Sequence, residues 1–336
     1  MSDQQPAPVK RSRRLYILWG VALTLLISTA IFCWLVVVPV WRTDRVIRNF
    51  DFHADSEDEF VQQLGGPGEA LRLLRLYTRM PNWIATHEPK AVRLLGACGA
   101  RAIPEIIPFL RSPDDLTRFH AANALRRIGP PAVVAVPALV HALGDADPAV
   151  REECARALGS IGPKAVDATR ALIPLLSDVR HGVRRAAADA LGAIKPDSAS
   201  AATGLIRLMN DSRCHTAARH AAVRALARVG ATDVVVPALV VAVRSKQDDN
   251  YVGALAMVSL KNIGKPAVPG LIKLLQEKDT SLRYLAASAL ESVVPVAKEA
   301  TPALLRLLSD DDPMVRTAAA GALEKIKAAE SAKAPR

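Results

Sequence analysis

Residues 145–163 read DADPAVREECARALGSIGP, and the order of signals in that stretch decides the fold. Asp145 and Asp147 can accept hydrogen bonds from the free amides of a helix start, and Pro148 suits the first helical turn. The helix then runs to about Ile161, where Gly162-Pro163 ends it. Just before it, residues 133–143 carry Val134, Val136, Leu139, Val140 and Leu143 at helical spacing. Gly144 to Pro148 form the turn between the two helices. One stretch therefore spells a helix pair.

The pair recurs. A small residue followed by leucine closes an alanine-rich segment at Leu125, Leu158, Leu191, Leu226, Leu260, Leu290 and Leu323, at intervals of 33, 33, 35, 34, 30 and 33 residues. Seven residues before six of these leucines stands an arginine: Arg118, Arg151, Arg184, Arg219, Arg283 and Arg316. The fifth unit has Gly253 there. A first, atypical unit places helices near 69–79 and 90–98, with Leu95 in phase and Glu88 at the arginine position, as in a terminal cap. A period of this length marks stacked supersecondary units, so the chain reads as all-α, a solenoid of about eight helix pairs over 67–327. Such stacks usually bind other molecules along one face.

Composition agrees. Half of the 336 residues are apolar but only 4% are aromatic, so alanine, leucine and valine must fill the core. Small side chains let helices approach closely in a thin layered stack. The formal charge of +11 points to an acidic protein partner. Cys33, Cys98, Cys154 and Cys214 share no CxxC spacing and read as small buried side chains, not as a disulfide framework or a zinc site. His215, His220 and Cys214 do not share one helix face. No cofactor, metal or small-molecule substrate is implied, and no P-loop, GxSxG, HExxH or dinucleotide fingerprint occurs. The chain is read as not an enzyme.

Ahead of the repeats, residues 15–41, LYILWGVALTLLISTAIFCWLVVVPVW, contain no charge. As a helix they would span roughly 40 Å at about 1.5 Å per residue, more than the roughly 30 Å hydrocarbon core. Trp19 and Trp41 suit the two interfaces. The run is far longer than the ~7–15-residue core of a cleaved signal, and no A-x-A site ends it. It reads as an uncleaved transmembrane anchor in the cell membrane. Lys10, Arg11, Arg13 and Arg14 precede it, against Arg42, Arg45 and Arg48 after it. That bias puts the N-terminus in the cytoplasm and the repeats outside it. Residues 1–14 form a basic tail and 42–66 an acidic, partly helical stalk. Residues 328–336 form a disordered tail.

The pattern Asp–x–x–x–x–x–Arg, then AA–x–AL–x–x–Ile-Gly, resembles HEAT repeats, particularly the short bacterial type called phycobilisome-lyase HEAT-like repeats. Asp145/Arg151, Asp178/Arg184 and Asp310/Arg316 carry it, with Glu277/Arg283 as a variant. The resemblance implies a right-handed solenoid, with these residues forming a ladder between neighbouring units. Arg151 is expected to be buried beside Asp145. It also implies that the second helices line the concave side. Positions one, five, eight and nine after each arginine lie off the core stripe. They give Phe119, Asn123, Arg126 and Arg127; Glu152 and Arg156; Arg185 and Asp189; His220, Arg224 and Arg228; Lys261; Tyr284 and Glu291; Glu324 and Lys325. Phe119, Arg126, Arg127, Arg156, Arg185, His220, Arg224, Arg228 and Tyr284 are the expected partner-binding residues, in a basic groove that turns acidic or mixed toward the C-terminus.

The function expected from this is a membrane-anchored protein–protein scaffold. A bilin lyase-like enzyme, or another HEAT-like enzyme, is the alternative by resemblance. Deoxyhypusine hydroxylases, a HEAT-like metalloenzyme family, need several His-Glu pairs, whereas His87-Glu88 stands alone here. Nucleic-acid binding is a third reading if the repeats are cytoplasmic.

Overall fold

Proline and aspartate set the alternation of short and long helices. The computed structural model describes residues 38–49, 66–78, 88–245, 250–293 and 298–331, together with positions 28, 31, 35, 37, 61 and 62. Every regular element among them is helical. The chain divides into two units, residues 1–98 and 99–336.

The first unit holds α1 (Val38–Asn49), α2 (Pro67–Thr78) and α3 (Glu88–Ala97). Ile47, Leu74, Val92, Leu94 and Leu95 are buried in it. The expected anchor at 15–41 lies mostly outside the described residues, which include its last four positions as the start of α1. Among the described residues no helix is long and apolar enough to cross a membrane. The expected stalk begins as the packed end of α1, and its acidic cluster at 55–59 lies outside the described residues.

The second unit contains seven helix pairs. The first helices are α4 (Ile103–Ile106), α6 (Val136–Ala142), α8 (Thr169–Leu172), α10 (Ala199–Asn210), α12 (Thr232–Arg244), α14 (Val268–Leu274) and α16 (Thr301–Leu307). The second helices are α5 (Asp115–Ile128), α7 (Pro148–Ile161), α9 (His181–Ile194), α11 (Thr216–Leu226), α13 (Asn250–Ile263), α15 (Thr280–Ser292) and α17 (Pro313–Ser331). The helix expected over 133–143 is split: a 3-10 segment, Pro130–Ala135, precedes α6. Proline lacks an N–H and is tolerated in a first turn, so Pro104, Pro137, Pro269 and Pro302 each fall where an α-helix restarts. The final helix continues to Ser331, past the expected boundary at 327, because KAAES is a good helix former.

Each second helix packs on the next. Small residues at the crossings permit this. A Cβ on Gly159 would stand 3.1 Å from the Ala190 Cα, and one on Gly192 3.0 Å from the Ala225 Cα. At the helix ends Gly129, Gly162 and Gly264 take φ of 70, 72 and 76°, while Lys195 takes φ 55° where no glycine is available. Cys98 and Cys154 are buried thiols. Burial pushes the Cys98 pKa up to about 11 and that of Cys154 further, so both stay protonated.

The charged ladder joins units in a direction the spacing did not reveal. Arg151 does not pair with the Asp145 carboxylate. Its Nε and Nη2 donate to the two oxygens of Asp178, in the next unit, at 2.9 and 3.1 Å. Its Nη1 donates to the backbone carbonyls of Asp145 and Ala146 at 2.8 and 3.1 Å. Asp145 receives the fork of Arg118 instead, at 2.6 and 2.9 Å, and Asp310 that of Arg283, at 2.7 and 2.9 Å. Each of these aspartates also accepts the amide two residues on, from Asp147, Arg180 or Asp312. The reason is geometric: one planar fork can bond two carboxylate oxygens of the next unit while its third nitrogen closes its own turn. For Asp145 burial alone would raise the carboxyl pKa. The hydrogen bonds from Arg118 and the Asp147 amide outweigh it and hold the group below the usual carboxylate range.

The ladder breaks in the middle. Arg184 holds the Asp178 carbonyl at 2.7 Å, but its Nε is buried without a partner. The aspartate 27 residues on, Asp211, accepts instead from the Cys214 thiol at 3.1 Å. There Asp211 and Arg219 are eight residues apart instead of six, which changes the turn. Arg219 is buried on the Met209 carbonyl at 2.9 Å. At the fifth unit, where glycine replaces arginine, Arg244 from the end of α12 reaches Glu277 at 2.5 Å. Among the described residues Arg316 holds the carbonyls of Asp310 and Asp311 and no carboxylate.

The Arg151 and Asp178 side chains are only 14% and 11% exposed. Arg151→Ala is therefore expected to cost about 2–4 kcal/mol by leaving Asp178 partly buried and unpaired. Arg316→Ala should cost less than about 1 kcal/mol, as surface changes do. Urea unfolding of the two variants checks this; equal midpoints would remove the inter-unit pair as the source of stability.

Candidate partner-binding face

The exposed face of the second helices is where the expected contact residues lie. Its charges are largely committed to one another. Glu153, 2% exposed, is the centre of the α5–α7 seam. It accepts from Asn123 Nδ2 at 2.8 Å, from Arg126 Nε, and from Arg156 Nη1 at 3.3 Å. Arg156 also bonds Glu152. Arg185 pairs with Asp189 at 3.5 Å, and Arg224 reaches the same Asp189 at 3.4 Å. Lys325 pairs with Glu291 at 2.9 Å. The expected basic groove over the first four units is thus a row of interleaved opposite charges, and four of its arginines have a carboxylate partner. Sequence reading counted the cations as available because it had no means of placing Glu153 between them.

The larger contact groups are distributed along the row. Phe119 on α5 is half-buried, edge-on to His120 with ring centroids 5.4 Å apart. His220 on α11 lies 4.8 Å from the Tyr251 ring on α13. Tyr284 on α15 lines a cavity of about 520 Å³ with Ser288, Met314 and Thr317. Arg127 and Arg228 are exposed at the ends of α5 and α11. The structure therefore brings Arg126 and Arg156 together on Glu153, and Arg185 and Arg224 together on Asp189. Phe119, His220 and Tyr284 remain in separate seams.

Two features escaped sequence reasoning. His181 and His215 stack, 4.9 Å between centroids and 21° between planes, although 34 positions separate them. His215 Nδ1 accepts the Ala217 amide, which leaves Nε2 as the protonated nitrogen. Among the described residues no group of three or more His, Cys, Asp or Glu side chains could hold a metal ion. The second feature is the exposed apolar side of α13, with Tyr251 and Val258. Its signal was present: 250–260 is the one second-helix stretch with no charge before Lys261.

Comparison with known proteins follows the repeat geometry. The HEAT-repeat family matches residues 136–218, 212–291 and 268–334. No curated protein matches. A crystal structure of an engineered protein from the Northeast Structural Genomics Consortium is similar at 24% identity over 80% of this chain and 81% of that one, with a TM-score of 0.52. A designed armadillo repeat protein in complex with the peptide (KR)4 shares 22% identity over 67% of this chain and 99% of that one, at a TM-score of 0.37. The first of these likenesses establishes the helical-repeat architecture alone.

Glu153 is expected to hold the N-terminal part of this face together. Glu153→Ala should lower stability by about 2 kcal/mol, because Asn123 and two guanidiniums lose a buried acceptor. Glu153→Gln, which keeps an acceptor oxygen, should lose less. An unfolding midpoint unchanged in both would mean that the charges on this face are held independently.

Proposed function

The chain belongs to the HEAT-repeat family, and from that premise we propose that it is a scaffold binding protein partners along its row of second helices while tethered to a membrane. The observation that carries the reading is the register of that row. Arg224–Asp189 joins α11 to α9 from the same repeat position on each helix, and Lys325–Glu291 joins α17 to α15. Successive units thus present their exposed side chains as one continuous strip. A strip of this kind gives a partner many modest contacts and a few buried anchors, the usual basis of protein recognition. The short bacterial, lyase-like type rests on the Asp–x–x–x–x–x–Arg and AA–x–AL signature. The membrane tether rests on the charge-free run at 15–41, and an extracytoplasmic placement of the repeats on the Lys/Arg bias around it.

Two measurements test the proposal. The intact protein should stay in the membrane pellet after alkaline carbonate or high salt, whereas release by carbonate would remove the tether. Photo-reactive residues replacing Phe119, Arg127 or Tyr284 on the second helices should give protein adducts in native membranes. The same probe at Val134 or Val166, exposed before and within the first-helix side, should give few. Adducts mainly from Val134 and Val166 would move the binding surface to the opposite side.

A further inference from the structure

The seam between α13 and α15 repeats the α5–α7 seam position for position with different chemistry. Counting from the repeat arginine position, Val258 stands where Asn123 does, Lys261 where Arg126 does, and Leu285 where Glu153 does. At the α5–α7 seam these positions form a closed clamp, in which the buried carboxylate of Glu153 takes Asn123 and Arg126. At the α13–α15 seam the carboxylate is replaced by a leucine that is 40% exposed, and the amide by a valine that is 52% exposed. The cation remains.

Helical periodicity extends this into a stripe. Tyr251, Ala254, Val258 and Lys261 recur every three or four residues on α13 and are all exposed, Tyr251 at 59%. Single exposed apolar side chains are ordinary, but contiguous ones beside a polar rim mark contact surfaces. The rim is cationic. Neither α11 (TAARHAAVRAL) nor α13 (NYVGALAMVSLKNI) contains an acidic residue, and on the exposed face they carry Lys261 and Arg224, the latter paired with Asp189 of α9. Lys261 makes no ion pair among the described residues, whereas its counterpart Arg126 does.

We infer that the α13–α15 seam is the docking site for a polypeptide segment that places an apolar side chain over Val258 and Leu285 and a carboxylate on Lys261. The incoming carboxylate supplies what Glu153 supplies internally at the α5–α7 seam, four seams earlier. Charge complementarity selects an acidic segment, because α11 and α13 carry no acidic residue and the Glu291 carboxylate of α15 is taken by Lys325. The apolar patch selects a bulky aliphatic or aromatic neighbour to that acid. The inference rests on the scaffold reading above and deepens it by naming the seam and the partner chemistry.

The probe is a random twelve-residue peptide library displayed on phage and selected on the intact protein. Selected sequences should be enriched in a bulky apolar residue adjacent to Asp or Glu. A selected peptide should bind the Val258→Asp variant at least about tenfold more weakly, the loss of one hot-spot contact. Lys261→Glu should weaken it comparably and shift the selection toward basic peptides. Both positions are exposed, and unchanged melting of the variants confirms that they fold. Val134→Asp, at an exposed valine on the first-helix side, should leave binding unchanged. The inference is overturned if no peptide is selected, if the selected peptides lack acidic residues, or if Val258→Asp has no effect. It is also overturned if the protein binds phosphatidylglycerol vesicles through this stripe and no peptide. Partner adducts from Phe119 or Arg127 together with an inert Val258→Asp would keep the scaffold and reject this seam. Adducts only from Val134 and Val166 would reject the scaffold itself.

Discussion

The bidentate bond from an arginine of one unit to an aspartate of the next is the constraint on which the stack depends. Hydrophobic contact between alanine- and leucine-rich helices is strong but non-directional, and would allow neighbouring units to slide or tilt. A planar fork meeting both oxygens of a carboxylate fixes position and rotation at once. The same guanidinium also holds two carbonyls of its own turn, as Arg118 does with Ser112 and Pro113 at 2.9 and 3.1 Å. The turn, the helix start and the relation between units are thereby secured by one side chain.

Where the fork loses its carboxylate, the chain substitutes other contacts. Cys214 takes Asp211, the Met209 carbonyl takes Arg219, and Arg244 reaches across to Glu277. These replacements cluster in units four to six, around α13. Among the described residues the Glu153-type clamp belongs to the α5–α7 seam alone; the same position is Ala186, Ala221, Leu255 and Ala318 in other units, and at α15 it is the exposed Leu285. Apolar surface is left open at the α13–α15 seam, beside the irregular part of the ladder.

Much of the architecture was legible because it is periodic. Phase, helix starts at Asp-Pro, glycine ends and the arginine row all repeat, so errors in one unit are corrected by the next. The partner of each arginine was not legible. Asp145 lies six residues before Arg151 and 27 after Arg118, and both intervals join the same residue types. Only stacking distinguishes them. The state of the charges on the second-helix face was hidden for a similar reason. The positions on that face follow from helical spacing, but whether Arg126 or Arg156 is available depends on the burial of Glu153 between them. The apolar side of α13 was passed over because charges and large rings were sought, and Val258 and Ala254 are neither.

The rung also has a polarity: a regular unit offers a guanidinium forward and a carboxylate backward. A tandem duplication of one regular unit, such as 145–177, would present a matching donor and acceptor at both new junctions. Lengthening there leaves no unmatched charge, as copying a link leaves a chain closed. Copying the unit that begins at Asp211 would instead reproduce its thiol-for-guanidinium exchange and enlarge the irregular zone. The molecule's grammar thus permits growth by whole words in its first half, and makes the middle the part that selection must spell letter by letter.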